Sequence, residues 1–311
     1  MPILSIRHLT RYRYRNPVAL GEHRIMFRPR ESYDQRLLAC ELTINPTPSR
    51  LRYVHDVFGN CVGVVGFSGR TRELTFDSRV TLEHTPEPAF AGLDGEIGAY
   101  AGAMPYSADD LPDLLESIKR QHPDPKGIVD AWARRFVRRV GRTSLQHLLS
   151  EMTQAIHAGF KYSKRLEMGS QTPLDTLTLK SGSCRDFAVL MMEAARSLGL
   201  AARFVSGYIY SPPANACARA GRIGGGHTHA WVRVYLPACG WVEFDPTNGI
   251  VGNADLVRVA IARDPRQAVP LHGTWAGLPS DFLGMDVEVD VQAQSEAPAQ
   301  LPAARTVGRG G

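Results

Sequence analysis

At 311 residues, with 43% hydrophobic and 22% charged residues, the chain has the length for about two domains and the composition of an ordinary folded protein, which excludes an intrinsically disordered one. The net charge of +5 is mild, and its arginines fall in scattered pairs such as Arg134-Arg135 and Arg138-Arg139, so solvated helix faces are expected and a nucleic-acid partner is not. No run of about 18 apolar residues occurs, which argues against a membrane helix, and residues 1–14 alternate polar and apolar where a secretory signal would be continuously apolar, so a cytoplasmic protein is expected.

From Ile3 to Leu82 the period is two. Leu4, Ile6, His8, Thr10, Tyr12 and Tyr14 share one face, and the alternation returns at Leu38, Cys40, Leu42, Ile44 and at Leu74, Phe76, Ser78, Val80, Leu82. Turn-forming stretches, Asn45-Pro46-Thr47-Pro48 and Phe58-Gly59-Asn60, separate these runs, so an antiparallel β-sandwich is expected over residues 1–85. Residues 86–110, rich in Pro, Ala and Gly, read as a linker.

Helical signals then take over. Asp124-Pro125 predicts a capped helix carrying Ile128, Val129, Trp132, Phe136, Val137 and Val140, and Thr143 with Gln146 predicts a capping box opening a second helix through Leu148, Leu149, Met152 and Ile156. A third helix is expected from Ser183–Arg185, with Phe187, Leu190, Met191, Ala194, Ala195 and Leu198 on its apolar stripe and Gly199 as the stop. Three strands follow at Ala202–Tyr210, Ala230–Leu236 and Trp241–Phe244. The stretch 255–291 alternates again and is expected to extend one of the two sheets, within a catalytic unit spanning 111–291; the tail 292–311 reads as disordered.

Chemistry concentrates on three residues. Cys184 lies in Ser181-Gly182-Ser183-Cys184-Arg185-Asp186-Phe187, at the predicted first turn of a helix, where free backbone amides and the helix dipole favour a thiolate, the form of cysteine that acts as a nucleophile. His229 stands where the loop Gly226-His227-Thr228 enters a strand, held firmly yet reachable, as a general base must be. Asp245 ends the next strand, and a turn centred on residue 237 would set it opposite His229, where a carboxylate orients the imidazole and stabilises its charged form. The competing reading of Cys184 is a small packing residue.

Ser-Gly-Ser-Cys184-Arg-Asp-Phe, Arg203-Phe-Val-Ser-Gly-Tyr208, His229-Ala-Trp-Val and Trp241-Val-Glu-Phe-Asp245-Pro-Thr-Asn248 together resemble the transglutaminase-like core of bacterial proteins. Tyr12-Arg-Tyr14-Arg-Asn-Pro17-Val18, Phe27-Arg-Pro29-Arg30 and Asp56-Val-Phe-Gly59-Asn60 are similar to the β-sandwich domain that precedes that core. The resemblance implies an α+β, papain-like cysteine-enzyme core behind the sandwich, with Cys184 as nucleophile, His229 as base, Asp245 as orienting carboxylate, and no cofactor or metal. It implies attack on a peptide or isopeptide-type amide to give a thioester, resolved by water in hydrolysis or by an amine in transamidation. The Cys184 backbone amide is the natural oxyanion donor, with Tyr162 a second candidate. The sequence departs from the family pattern at Ala262-Arg263-Asp264-Pro265-Arg266-Gln267.

Alternatives stay open at several positions. Asp186 either binds a substrate amine or caps the helix, and Arg185 meets a substrate carboxylate or an internal acid. His227 is expected in a loop near the cleft, and Tyr208 and Trp231 read as packing. His227 and His229 at i, i+2 would chelate zinc only with help from Cys184, Cys217 or Cys239, a spacing that matches no common zinc pattern. Five cysteines without a CxxC pair argue against a disulfide framework. The rival to an enzyme is a binding module that keeps the fold and has lost the chemistry. A peptide or protein substrate is the expected partner, with no nucleic acid and no membrane; the oligomeric state is not legible.

Overall fold

The computed structural model describes residues 3–86, 89–90, 99–100, 105–165, 169–211, 222–237 and 239–294. Most of the expected linker, Cys217 and the tail beyond residue 294 lie outside these residues.

Five strands, β1 (Ile3–Ile25), β2 (Gln35–Asn45), β3 (Arg50–His55), β4 (Cys61–Gly66) and β5 (Arg70–His84), build the N-terminal sheet in the order β2-β5-β1-β4-β3. Strand β1 is long because it serves two layers: residues 3–13 and, after a break in register, 18–19 pair with β5, and residues 23–25 pair with β4. Between the layers Tyr14, Val18, Leu20, Ile25, Phe27, Val65, Leu74 and Phe76 form a small core of their own. The period-two pattern is thereby explained, since one side of each strand must meet the opposite layer.

The helical region begins with β6 (Ala99–Tyr100), α1 (Leu111–Ile118), α2 (Ile128–Arg134), β7 (Thr143–Ser144) and α3 (Leu145–Gly159). Two expectations change here. The N-cap of α2 is Gly127, so Pro125 precedes the helix and Asp124 serves it from outside, its carboxylate accepting from the amides of Ile128, Val129 and Asp130, and the helix stops at Arg134 and does not reach Val140. The second correction is at Thr143: its buried hydroxyl accepts from the Arg138 amide at 2.8 Å and so is not the cap of α3, which falls to Ser144.

Next come β8 (Lys161–Tyr162), α4 (Pro173–Leu179), β9 (Ser181–Gly182) and α5 (Cys184–Ser197), then β10 (Ala202–Ile209), β11 (His229–Leu236), β12 (Gly240–Asp245), β13 (Ile250–Val251) and β14 (Leu256–Ala262). The five strands after α5 form a second antiparallel sheet, β13-β12-β11-β10-β14. Helix α5 is buried almost all round, as a helix apolar on most of its faces must be, and packs on β10 and β11 with Phe187, Ala188, Leu190, Met191 and Ala195 in the main core. Of its two buried acids, Asp186 and Glu193, the second is paired with Arg196 at 2.8 Å, and Arg196 also donates to the carbonyls of Ala202 and Arg263, tying the helix to one end of the β10–β14 pair.

The C-terminal strands overturn the expected extent of the catalytic unit, 111–291. Strands β15 (Leu271–Ala276) and β16 (Phe282–Gln294) return to the N-terminal sheet and pair antiparallel with the two halves of β1, Ile25 opposite Leu271 and Ile3 opposite Gln294. Residues 292–294, assigned in sequence to a disordered tail, are the end of this ladder. Strand β1 needs a partner on each edge, and β16 supplies the one that β5 does not.

The sandwich also closes the edge of the second sheet. Side-chain amides of Gln35 and Asn60 bond the backbone of β14 at Arg258 and Ile261, at 2.8–2.9 Å, in place of a neighbouring strand. Beside them Arg258 is held between Asp34 of the sandwich and Glu243 of β12. The hydroxyl of buried Tyr208 reaches His8 Nδ1 at 2.9 Å across the same interface. The two units therefore share one core, to which Leu4, Ile6, Val80 and Leu82 of the sandwich contribute.

Candidate active site

Cys184 is the first residue of α5, with Ser183 as N-cap, so its side chain sits among amides that have no partner within the helix. The start of the helix is fixed by Asp186. One carboxylate oxygen accepts from the backbone and the hydroxyl of Ser183, both at 2.8 Å; the other accepts from the Gln171 amide at 2.6 Å and from Arg165 at 3.0 Å. Both oxygens are used inside the fold, and the residue is fully buried. Of its two readings the geometry supports the cap and leaves nothing for a substrate amine.

His229 opens β11, opposite Gly207 of β10. Its Nε2 lies 2.8 Å from Asp245 Oδ2, and both side chains are wholly buried. They meet by a different register from the one expected. The hairpin pairs Leu236 with Gly240 and Val232 with Phe244, which puts the turn's centre at residue 238 and Asp245 one step beyond the last paired rung, across from Trp231. His229 and Trp231 point to the same face, being two apart, so the contact is a diagonal one, within reach because such neighbours lie about 7 Å apart at Cα.

Two residues not singled out in sequence complete the carboxylate's surroundings. The Thr247 amide donates to Asp245 Oδ1 at 2.9 Å, and Asn248 Nδ2 donates to Oδ2 at 2.8 Å while its own oxygen accepts from the Ile223 amide. The signal was present: Asp-Pro-Thr-Asn after a strand is a run of turn-forming residues whose amides close back on an Asp. Trp231 lies beneath the imidazole, rings nearly parallel at 28° with centroids 6.0 Å apart, and donates to Glu243 at 2.6 Å. Its packing role is accordingly directed at His229.

Burial alone would lower the pKa of His229, yet the Asp245 carboxylate, with a further contribution from the adjoining Cys184 sulfur, raises it to about 10. Asp245 shifts the other way: burial opposes its charge, but His229, Asn248 and the Thr247 amide hold its carboxyl below the ordinary range. Nδ1 is buried without a hydrogen-bond partner, which leaves it as the nitrogen available to the thiol. Gly224 packs directly over it; a Cβ there would stand 2.6 Å from Nδ1. Cys184 itself is 8% exposed, so the site opens only narrowly to solvent.

Tyr162 lies in β8, parallel to β9 and level with Gly182, two residues before Cys184. Burial, then the neighbouring charges of Cys184, Asp186 and Asp245, push its phenol up to about 12, so the hydroxyl keeps its proton and can donate. His227 stands in the loop before His229, as expected. Its Nδ1 faces the Val287 carbonyl of β16 at 3.3 Å and its Nε2 the Lys164 ammonium at 2.8 Å. Both its nitrogens, and Nε2 of His229, are thus engaged, and among the described residues no three His, Cys, Asp or Glu side chains cluster as metal ligands. The Ala262–Gln267 segment lies at the far end of β14, where Asp264 bonds Arg266.

A cysteine at a helix start beside a buried histidine–carboxylate pair, on an α+β core behind a β-sandwich, defines a cysteine-enzyme fold. The family models agree: the bacterial transglutaminase-like N-terminal region matches residues 4–83, and the transglutaminase-like superfamily core matches residues 130–246. The chain is 30% identical over 293 residues to an uncharacterized protein of Mycobacterium tuberculosis, covering 92% of this chain and 91% of the relative. A second uncharacterized protein, from Mycobacterium leprae, is 25% identical over 301 residues, covering 92% and 98%. Among solved structures, a candidate cysteine protease from Cytophaga hutchinsonii superposes with a TM-score of 0.68 at 18% identity, over 96% of this chain and 94% of that one, and so shares the fold. The chain belongs to the bacterial transglutaminase-like superfamily.

Proposed function

We propose that the protein is a cysteine-nucleophile amidase acting on peptide or isopeptide-type amide bonds. The observation that carries this reading is the buried His229–Asp245 contact of 2.8 Å beside Cys184 at the helix start. In the resting site the raised pKa of His229 keeps the imidazole protonated through neutral pH, and that charge, with the amides of α5, favours the Cys184 thiolate. The thiolate adds to the amide carbonyl carbon; the oxyanion takes hydrogen bonds from the Cys184 amide and the Tyr162 hydroxyl. As the carbon–nitrogen bond breaks, the imidazolium gives its proton to the departing amine, leaving a thioester and a neutral imidazole. The imidazole then removes a proton from water, which attacks the thioester and releases a carboxylic acid and the Cys184 thiolate, restoring the imidazolium. A primary amine entering in place of water would give transamidation by the same steps.

The test is the rate at which iodoacetamide alkylates Cys184 between pH 5 and 10, in wild type and His229→Ala. A rate at pH 6–7 well above that of free cysteine, lost in the variant, is expected. A thiol that reacts no faster than free cysteine, with or without His229, would overturn the reading.

A further inference from the structure

Two residues that the proposed chemistry does not use meet over the site. Lys164 lies two residues beyond Tyr162, which is level with Gly182 in the parallel β8–β9 pair, and Cys184 lies two residues beyond Gly182. The hydrogen bond from the Ser163 amide to the Gly182 carbonyl, 2.8 Å, carries that alignment past the end of the strands. On the opposite side, His227 lies two residues before His229. The 2.8 Å contact between Lys164 Nζ and His227 Nε2 therefore bridges the cysteine side and the histidine side of the cleft.

The chemistry of this bridge is unusual for a surface lysine. Among the described residues no carboxylate lies within ion-pair distance of Lys164, whose hydrogen-bond partner is the lone pair of an imidazole. With Nδ1–H donating to the Val287 carbonyl, Nε2 of His227 is the acceptor and Lys164 the donor. Among the described residues Asp186 pairs with Arg165, Asp245 with His229, and Asp255 with Arg222. An ammonium has three N–H donors, and His227 takes one. Two remain open to solvent, and a substrate carboxylate would replace water at both with opposite charge.

Resting on the amidase reading, we propose that Lys164, held in place by His227, is the specificity-determining residue that receives a free carboxylate of the substrate close to the scissile amide. The substrates are then acidic at this position, the carboxylate being either an Asp or Glu side chain or a free C-terminus.

The first arm of the test reads the charge without needing a substrate. Iodoacetate and iodoacetamide differ by a carboxylate, so the ratio of their rates with Cys184 reports an anion-receiving group beside the sulfur. The ratio is expected to exceed that of free cysteine, to fall about five- to ten-fold in Lys164→Gln, as loss of one unit charge a few ångströms away implies, and to be kept in Lys164→Arg. A ratio unchanged by Lys164→Gln, while iodoacetamide still reacts faster than with free cysteine, overturns this inference and leaves the amidase reading standing. If neither reagent reacts faster with Cys184 than with free cysteine, both fall. The second arm compares matched peptide pools: Glu against Gln, and a free C-terminus against its amide. Faster turnover of one acidic member, lost in Lys164→Gln, supports the inference and names the source of the carboxylate; no preference in either pair overturns it.

Discussion

Replacing Asp34 by alanine probes how the sandwich and the second sheet hold together. Asp34 is 2% exposed and accepts two hydrogen bonds from Arg258, at 2.9 and 2.5 Å, and others from Ser32 and Asn253. Removing one partner of a buried ion pair typically destabilises by about 3–5 kcal/mol. Arg258 keeps Glu243 at 3.3 Å, so the lower end applies, about 3 kcal/mol, or roughly 6–12 °C in Tm for a chain of this size. The pH dependence has a definite sign. Burial alone would raise the pKa of Asp34, but Arg258 holds the carboxyl well below the usual range. Its stabilisation is therefore full above the unfolded pKa of about 4 and is lost as pH falls through the lower folded value. Thermal denaturation of wild type and Asp34→Ala from pH 7 to pH 3 should show the gap in Tm narrowing below about pH 4. A gap under about 2 °C at pH 7, or one that stays the same down to pH 3, would refute the reasoning.

Two further predictions concern the site. In Asp245→Asn the carboxylate that raises His229 is gone, leaving only Cys184 to oppose the lowering by burial; the imidazolium is held less firmly, and Cys184 alkylation at pH 7 should fall by about 10- to 100-fold, read from the iodoacetamide pH profile. Gly224 has φ +96° and room for no Cβ, which would sit 2.6 Å from His229 Nδ1. Gly224→Ala should displace the imidazole and slow alkylation about ten-fold, while circular dichroism shows the secondary structure unchanged.

What the sequence made legible follows the range of the interactions involved. The start of α5 was readable because Ser183, Cys184 and Asp186 settle it within four residues. The nearness of His229 and Asp245 was readable because a hairpin joins them, but its register was not. Pairing of Leu236 with Gly240 moves the turn by one residue, and alternation of apolar residues is satisfied equally by a shift of two. The return of β15 and β16 to β1 depends on contacts between residues about 290 apart, as at Ile3 and Gln294; period two identifies a strand and says nothing of its partner. The helix expected up to Val140 ends at Arg134, beyond which the amides of Arg135, Phe136 and Val137 bond carbonyls three residues back. Lys164 escaped notice because only the folded chain brings it to His227.

The proposed chemistry requires Cys184 to form an acyl-enzyme. The direct measurement is mass spectrometry of a peptide library incubated with wild type or Cys184→Ser, with and without a primary amine, following both the products and the intact protein. Wild type should carry an acyl adduct on Cys184 and release carboxylic acids, with the amine competing for the same intermediate, and Cys184→Ser should do neither. Identical products from the two proteins would remove Cys184 from the mechanism and contradict the account.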